Sequence, residues 1–164
     1  MVFEIPENLH ADLMPVAWML GTWEGSGRGE YPGTEPFAYG QQAVFAHDGR
    51  AFLHYFARSW IVDEDDVKVS EGPLETGFLR RGKDAEWELV LSHQSGLVEV
   101  WYGYADGPRL ELVTDLVART QTAEEVTAGK RLYGLVEGDL MYAYDKASNG
   151  HPLTSFTWGR LTRA

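Results

Sequence analysis

The sequence predicts an all-β protein, an antiparallel β-barrel of about ten strands with a short helix at its N-terminal end. Short segments rich in β-branched and aromatic residues alternate with tight turns at the regular spacing that marks sandwiches and barrels. Residues 21–32 add a strand in which glycine recurs at every second position. A meander that closes on itself has no exposed sheet edge. We therefore expect a closed barrel, and barrels of this size can hold a small ligand.

Apolar residues recur at helical spacing between residues 7 and 19, with an interruption near Pro15. This pattern predicts a short amphipathic helix. We expect the helix to plug one end of the barrel.

The next segment combines glycine with one indole. Gly21, Gly25, Gly27 and Gly29 share one face of the predicted strand with Trp23, because alternate residues of a strand point the same way. A helix is disfavoured here, since each glycine in a helix interior costs about 1 kcal/mol. Two interpretations stay open: the glycines permit barrel curvature, or they let a ligand or side chain approach a pocket wall closely.

The rest of the chain reads as strands joined by turns that contain Gly, Asp, Asn or Pro. In residues 124–136, Val126, Ala128, Lys130 and Leu132 alternate onto one face. The predicted segments are 37–46, 51–62, 67–81, 86–92, 97–104, 110–118, 124–136, 140–147 and 152–162.

Composition narrows the classes of function. The 164 residues predict one domain over 1–164, and no apolar run approaches the roughly 20 residues of a membrane helix. The N-terminus lacks the basic start and apolar core of a signal peptide, so we expect a cytoplasmic protein without membrane contact. The absence of cysteine excludes disulfides and thiolate metal sites. A net charge of −11 argues against a nucleic-acid partner.

Linear motifs for catalysis or metal binding are missing. No histidine pair has zinc-ligand spacing, and there is no phosphate loop, dinucleotide fingerprint or nucleophile elbow. Nothing in the sequence pairs the carboxylates into a dyad, and the acidic run at 63–66 predicts a solvated turn. The histidines are His10, His47, His54, His93 and His151, and the carboxylates considered for a dyad are Glu24, Glu75, Glu99 and Glu111.

Residues 21–27 fit the pattern Gly-x-Trp-x-Gly-x-Gly, formed by Gly21, Trp23, Gly25 and Gly27. With this pattern, the chain resembles the nitrobindin family of haem-binding β-barrels, which are similar to fatty-acid-binding proteins. Further matching stretches lie at 31–32, 36–37, 44–47, 75–80, 88–96 and 150–153. The resemblance covers nearly the whole chain and implies a ten-stranded up-and-down barrel with a mostly apolar cavity.

The chain departs from the family pattern where the resemblance implies haem contacts. The axial haem ligand of nitrobindins is a histidine six residues after the Gly of a Gly-x-Pro-Leu turn, and counting from Gly150 this position is Phe156. A second family histidine corresponds to Pro73, and a threonine near the haem edge corresponds to Gly33. Phenylalanine offers iron no lone pair. Strand alternation places Trp158 on the same face as Phe156, where two rings would fill volume that haem needs.

Other side chains are candidates for a substitute iron ligand. His151 lies five residues before Phe156, so alternation puts it on the opposite face of the strand. His93, His54, Met141 and Tyr142 remain conceivable.

These observations lead to the expectation of a ferric nitrobindin-like protein that is not an enzyme and binds no metal or haem cofactor. Its cavity would hold a small hydrophobic ligand or be filled by its own aromatic rings. The alternative is a haem b nitrobindin with a substitute axial ligand, which would bind nitric oxide and isomerise peroxynitrite to nitrate. An interaction module and an enzyme using cavity carboxylates are further hypotheses, and a homodimer is a possible assembly.

Overall fold

The computed structural model describes residues 2–164 and confirms the predicted all-β class. A 3₁₀ helix, Ala11–Met19, precedes ten strands. The strands are β1 (Gly21–Tyr31), β2 (Thr34–Ala46), β3 (Phe52–Val62), β4 (Lys68–Arg81), β5 (Trp87–His93), β6 (Leu97–Ala105), β7 (Arg109–Arg119), β8 (Val126–Val136), β9 (Asp139–Ser148) and β10 (Thr154–Arg163).

Closure follows from antiparallel pairing of each strand with the next and of β10 with β1. The closing pair aligns Trp23 with Arg163 at one end and Gly29 with Thr157 towards the other. Over the described residues 2–164 the ladder therefore leaves no open sheet edge, as the sequence predicts.

The helix closes the end of the barrel marked by Trp23. It starts later than predicted, at Ala11, where His10 Nδ1 accepts a hydrogen bond from the backbone N–H of Asp12. Its buried face includes Leu13, and the fully buried Trp23 donates from Nε1 to the Met19 carbonyl over 2.9 Å. Across residues 2–164, no helix is long and apolar enough to cross a membrane.

The glycines of β1 admit aromatic rings. A Cβ at Gly27 would lie 2.4 Å from the ring of Tyr39, and one at Gly29 would lie 2.2 Å from the ring of Phe37. Both distances are far below van der Waals contact, so only glycine leaves room for these rings. Phe37 and Tyr39 line the interior cavity, whereas the glycines themselves do not. The glycines of β1 therefore do allow other groups to approach closely, and the groups that approach are side chains of β2.

Two β-bulges change which residues face inwards. In β8 the register with β9 shifts between Val126 and Ala128, and in β10 it shifts between Ser155 and Thr157. A bulge adds one residue to a strand and so reverses the alternation beyond it. Both bulges lie towards the end of the barrel remote from the helix.

Candidate functional site

A cavity of about 280 Å³ lies inside the barrel and reaches towards the end remote from the helix. Its wall combines aromatic rings with several charged side chains. This volume lies near the lower limit of small-molecule pockets, about 300 Å³. The cavity is the principal candidate for a ligand site.

One ion pair, Arg131 with Glu75, is buried in the cavity wall. Arg131 Nη1 donates to Glu75 Oε2 over 2.6 Å and Nη2 donates to Oε1 over 3.2 Å, and the side chains are 6% and 17% exposed. Burial alone would raise the pKa of Glu75, but the guanidinium outweighs it and holds that pKa below its usual value. Burial would likewise lower the pKa of Arg131, and the carboxylate holds it well above its usual value. Both groups are therefore charged, and each compensates the other.

Three polar side chains form a second network. Tyr39 and Tyr142 share a short hydrogen bond, and the Tyr142 hydroxyl donates to Gln41 Oε1 over 2.5 Å. Burial raises the pKa of Tyr39 to about 12 and raises the pKa of Tyr142 further. Both phenols are protonated at neutral pH and act as hydrogen-bond donors.

Phe156 lines the cavity within an aromatic cluster. Its ring centroid lies 5.7 Å from that of Tyr31 and 6.0 Å from that of Phe37. Lys146 Nζ lies 3.8 Å from the Phe156 ring centroid, within cation–π range. The same ammonium donates to Glu124 over 2.9 Å.

On β5, His93 reaches the cavity wall. Its Nε2 hydrogen-bonds Glu99, whose side chain is fully buried. This contact is the one partner of the Glu99 carboxylate among residues 2–164, and Glu99 Oε2 is left without one. His93 thus provides the hydrogen-bond partner of a buried carboxylate.

Tyr144 lies in the cavity wall between Phe156, Trp101 and Arg131. Its ring centroid is 5.8 Å from that of Phe156 and 6.2 Å from that of Trp101, and the Arg131 guanidinium lies 4.7 Å from it. A Cβ at Gly129 would be 3.1 Å from the Tyr144 ring, so this glycine makes space for it. Burial raises the pKa of Tyr144, and Arg131 opposes that rise. Within residues 2–164, no hydrogen bond engages its hydroxyl.

The predicted site residues are dispersed. Phe156 and Pro73 line the cavity, while Gly33 lies in the exposed turn between β1 and β2 at φ +82°. Trp158 does not line the cavity: it is 38% exposed on the outer face, so its prediction is wrong. The reason is the β10 bulge, which places Phe156 and Thr157 on the cavity wall and turns the next residue outwards.

The motif residues do not contact the cavity. Gly21, Trp23, Gly25 and Gly27 are absent from its wall. A Cβ at Gly25 would lie 2.2 Å from the backbone carbonyl of Arg160, which explains a requirement for glycine there. The motif therefore supports the closing pair of strands.

Most of the residues that could replace the missing axial ligand of haem iron face away from the cavity. His54 stacks on Phe78 on the outer face, and Met141 is exposed. His151 packs edge-on against Tyr31 and is exposed. Tyr142 and His93 line the cavity.

The carboxylates form no dyad. Glu75 and Glu99 are inside the barrel, each bound to a partner of its own, and Glu24 and Glu111 are outside. Within residues 2–164, no group of three or more His, Cys, Asp or Glu side chains is placed to hold a metal ion.

The site residues predicted from the sequence do not include Arg131, Lys146 or Tyr144. For Arg131 the cause is the β8 bulge, which turns Gly129, Arg131 and Tyr133 inwards in place of the predicted Lys130 face. For β9 a signal existed, because residues 142, 144 and 146 alternate as Tyr, Tyr and Lys.

A closed ten-stranded barrel with a mixed aromatic and charged cavity is of the class of antiparallel barrels that can enclose a small ligand. Residues 12–163 match the family model described as "THAP4-like, heme-binding beta-barrel domain", and the chain belongs to this family. The resemblance to nitrobindins is thereby confirmed. The family description conflicts with the expectation that the protein uses no cofactor.

Named relatives cover almost the whole chain. A peroxynitrite isomerase of Nocardioides sp. JS614 is 58% identical over 99% of both chains. A ferric nitrobindin-like protein of Streptomyces griseus is 44% identical over 90% of this chain and 78% of its own. The crystal structure of Rv2717c from M. tuberculosis superposes with a TM-score of 0.85 at 34% identity, covering 95% of this chain and 99% of that one.

These names correct one expectation. The sequence predicts a protein that is not an enzyme, and this prediction is contradicted because the most similar of these relatives carries an enzyme's name. A Salinispora arenicola relative, 44% identical over 95% of this chain, is also named peroxynitrite isomerase.

Proposed function

We propose that this chain is a haem-binding barrel that isomerises peroxynitrite. The observation that carries the proposal is its 58% identity, over 99% of both chains, to a protein named peroxynitrite isomerase. The family description as a haem-binding domain supports the same reading.

The cavity as it stands fits haem neither in volume, because about 280 Å³ is less than a haem occupies, nor in the ligand that the resemblance implies. Aromatic rings suited to a flat macrocycle line one side, and a phenol with no hydrogen-bond partner, that of Tyr144, lies beside Phe156. Phe156 itself offers no donor. A haem here would need an axial ligand from another residue, and it would need Lys146 to move off the Phe156 ring, because the ammonium lies 3.8 Å from the ring centroid.

Haem iron, when bound, would supply the centre at which peroxynitrite rearranges to nitrate. The chain's own contribution is electrostatic and steric. Arg131 and Lys146 bring two cations to the cavity wall, each paired with a carboxylate, so an anionic substrate would have to displace Glu75 or Glu124 to reach them. Tyr39 and Tyr142 are protonated, but their hydroxyls bond each other and Gln41, so a substrate oxygen would have to displace one of these hydrogen bonds. The surrounding rings exclude bulk water, which strengthens these interactions.

Two measurements on the purified chain test the proposal. Hemin titration should give a sharp Soret band that saturates at one haem per chain. Stopped-flow decay of peroxynitrite should then accelerate with the haem-loaded protein and yield nitrate in place of nitrite. Saturable binding without acceleration would refute the activity, and no stoichiometric binding would refute the proposal as a whole.

The Phe156→His variant is the matched control. It restores a nitrogen donor at the position that the resemblance assigns to the family ligand, so it should bind haem with a histidine-type spectrum. A gain of binding in this variant beside none in the parent chain would show an intact scaffold that lacks only a ligand.

A second candidate is binding of a small hydrophobic ligand other than haem. The packing of Phe156 against Tyr31, Phe37 and Lys146 favours it, because a cavity of about 280 Å³ bounded by this cluster suits a compact molecule. Mass spectrometry of the solvent extract of gently purified protein would detect such a ligand. Recovery of haem alone would argue against this candidate.

A further inference from the structure

The two cations of the cavity wall differ in how firmly their carboxylate partners are bound. The pair of Arg131 with Glu75 is buried and bidentate, and Arg131 Nη1 also donates to the Tyr133 hydroxyl over 3.1 Å. Lys146 is equally buried, with 7% of its side chain exposed, but its partner Glu124 is 41% exposed. A ligand would therefore displace Glu124 more readily than Glu75, because the Glu124 carboxylate is already partly solvated.

Glu124 lies where the cavity meets solvent. It belongs to the connection between β7 and β8, and Thr120 of the same connection donates from its backbone N–H to the Gly96 carbonyl over 3.0 Å. This contact places the connection beside the turn between β5 and β6. Gln94 and Ser95 of that turn also line the cavity and are exposed. A ligand can therefore enter the barrel beside Glu124.

The ammonium of Lys146 has a donor that Glu124 does not use. A lysine ammonium carries three N–H groups. Among residues 2–164, the hydrogen bonds of Lys146 Nζ go to the two carboxylate oxygens of Glu124 alone, over 3.2 and 2.9 Å. Nζ also lies 4.9 Å from the Tyr31 ring centroid and 3.8 Å from that of Phe156, within cation–π range. At least one N–H is thus free for an incoming anion.

The wall beside Lys146 suits a compact apolar body. The ring centroid of Phe156 lies 6.0 Å from that of Phe37 and 5.8 Å from that of Tyr144, and all three rings line the cavity. The volume of about 280 Å³ equals that of about nine waters at roughly 30 Å³ each, which is room for a ligand of about ten non-hydrogen atoms. A flat ring can pack against such a cluster edge-on or offset.

The same ion pair favours a negative charge on the ligand. A carboxylate can replace Glu124 on Lys146 and still leave the buried ammonium paired. A cationic ligand would compete with Lys146 for Glu124, and the loss of that partner would leave a buried charge unpaired, which is costly. A neutral ligand would gain only its contacts with the rings.

We infer that the cavity binds a compact carboxylate with an apolar ring. The carboxylate of the ligand replaces Glu124 on Lys146, and its ring packs against Phe156. This inference rests on the second candidate function above, for which it names the chemical class of ligand, and it requires no haem. Binding takes place through an ion pair and packing, without a covalent step.

Isothermal titration calorimetry of the haem-free chain tests this inference with two probes of similar shape, phenylacetate and its uncharged amide, phenylacetamide. Lys146→Met removes the ammonium and keeps a long side chain, and Glu124→Gln removes the competing carboxylate. Lys130→Met is the matched control, because Lys130 pairs with Glu111 over 3.0 Å outside the cavity, with both side chains exposed. Thermal unfolding of each variant checks that it folds.

We expect phenylacetate to bind about tenfold more tightly than phenylacetamide, because hydrogen bonds between ionised groups are the stronger ones. Lys146→Met should abolish this preference, Lys130→Met should keep it, and Glu124→Gln should tighten the binding of phenylacetate alone.

Equal affinities for the two probes, or a preference that survives in Lys146→Met, would overturn the inference and leave a neutral ligand as the second candidate. If Lys146→Met does not fold, an unchanged affinity for phenylacetate in Glu124→Gln would overturn it instead. Binding of neither probe would overturn it as well. The hemin titration tests the haem proposal separately, so the failure of one is distinguishable from the failure of the other.

Discussion

Removing one partner of the buried pair between Arg131 and Glu75 should destabilise the barrel by about 3–5 kcal/mol, the usual cost of stranding a buried charge. The Glu75→Gln substitution keeps the shape of the side chain and removes its charge. The two hydrogen bonds of 2.6 and 3.2 Å then lose their anionic acceptor, while Arg131 remains only 6% exposed. At about 3 Å and an effective dielectric constant of about 20, the lost Coulomb attraction is about 5 kcal/mol, which agrees with that range.

Urea denaturation followed by tryptophan fluorescence measures the loss, since Trp101 lies 5.0 Å from the Arg131 guanidinium and reports on this region. The double variant Glu75→Gln with Arg131→Met is the control. It removes both charges, so it should recover most of the free energy of unfolding lost in Glu75→Gln. A Glu75→Gln cost below about 1 kcal/mol would refute the reasoning that this pair is desolvated.

Two further predictions follow from the same structure. Gly27→Ala should cost about 1–3 kcal/mol, because its Cβ would lie 2.4 Å from the Tyr39 ring, whereas Gly134→Ala, with its nearest atom at 3.7 Å, should change the free energy of unfolding little. Equal urea midpoints for these two alanine variants would contradict the close packing of β1. Stability should also fall as pH drops below 4.5, the ordinary pKa of Glu75, because the folded-state pKa is lower and the stabilisation is lost as pH falls through it. Urea midpoints between pH 6 and pH 3 should therefore converge for the parent chain and Glu75→Gln, and a constant gap between them would count against this assignment.

Strand number and order could be predicted from the sequence because turns punctuate the chain with glycine, aspartate and proline. The helix was placed too early by four residues because the apolar periodicity extends before the capping residue His10. The sequence predicts the glycine-rich strand β1, but it does not predict which side chains pack against its glycines. That Phe37 and Tyr39 cover Gly29 and Gly27 depends on the register between β1 and β2.

The prediction of which residues face into the barrel is wrong where a bulge interrupts a strand. Strict alternation places Trp158 inside and groups Val126, Ala128, Lys130 and Leu132 on one face, and in both strands a bulge reverses that alternation. Bulges carry no clear signature in a single sequence, since neither position 127 nor position 156 is glycine. The pairing of Arg131 with Glu75 was equally out of reach, because it joins residues 56 positions apart across the barrel.

The two ends of the barrel differ in the side chains that fill them. Around the helix, Leu13, Val16, Met19 and Trp23 form an apolar core, each no more than 1% exposed. Such a core stabilises the fold by removing apolar area from water and tolerates little change. The cavity half instead contains charges and phenols whose burial has a free-energy cost unless they are paired. Since the family model spans both halves, the apolar core accounts for the shared fold, and differences in ligand chemistry between relatives should be concentrated in the cavity wall.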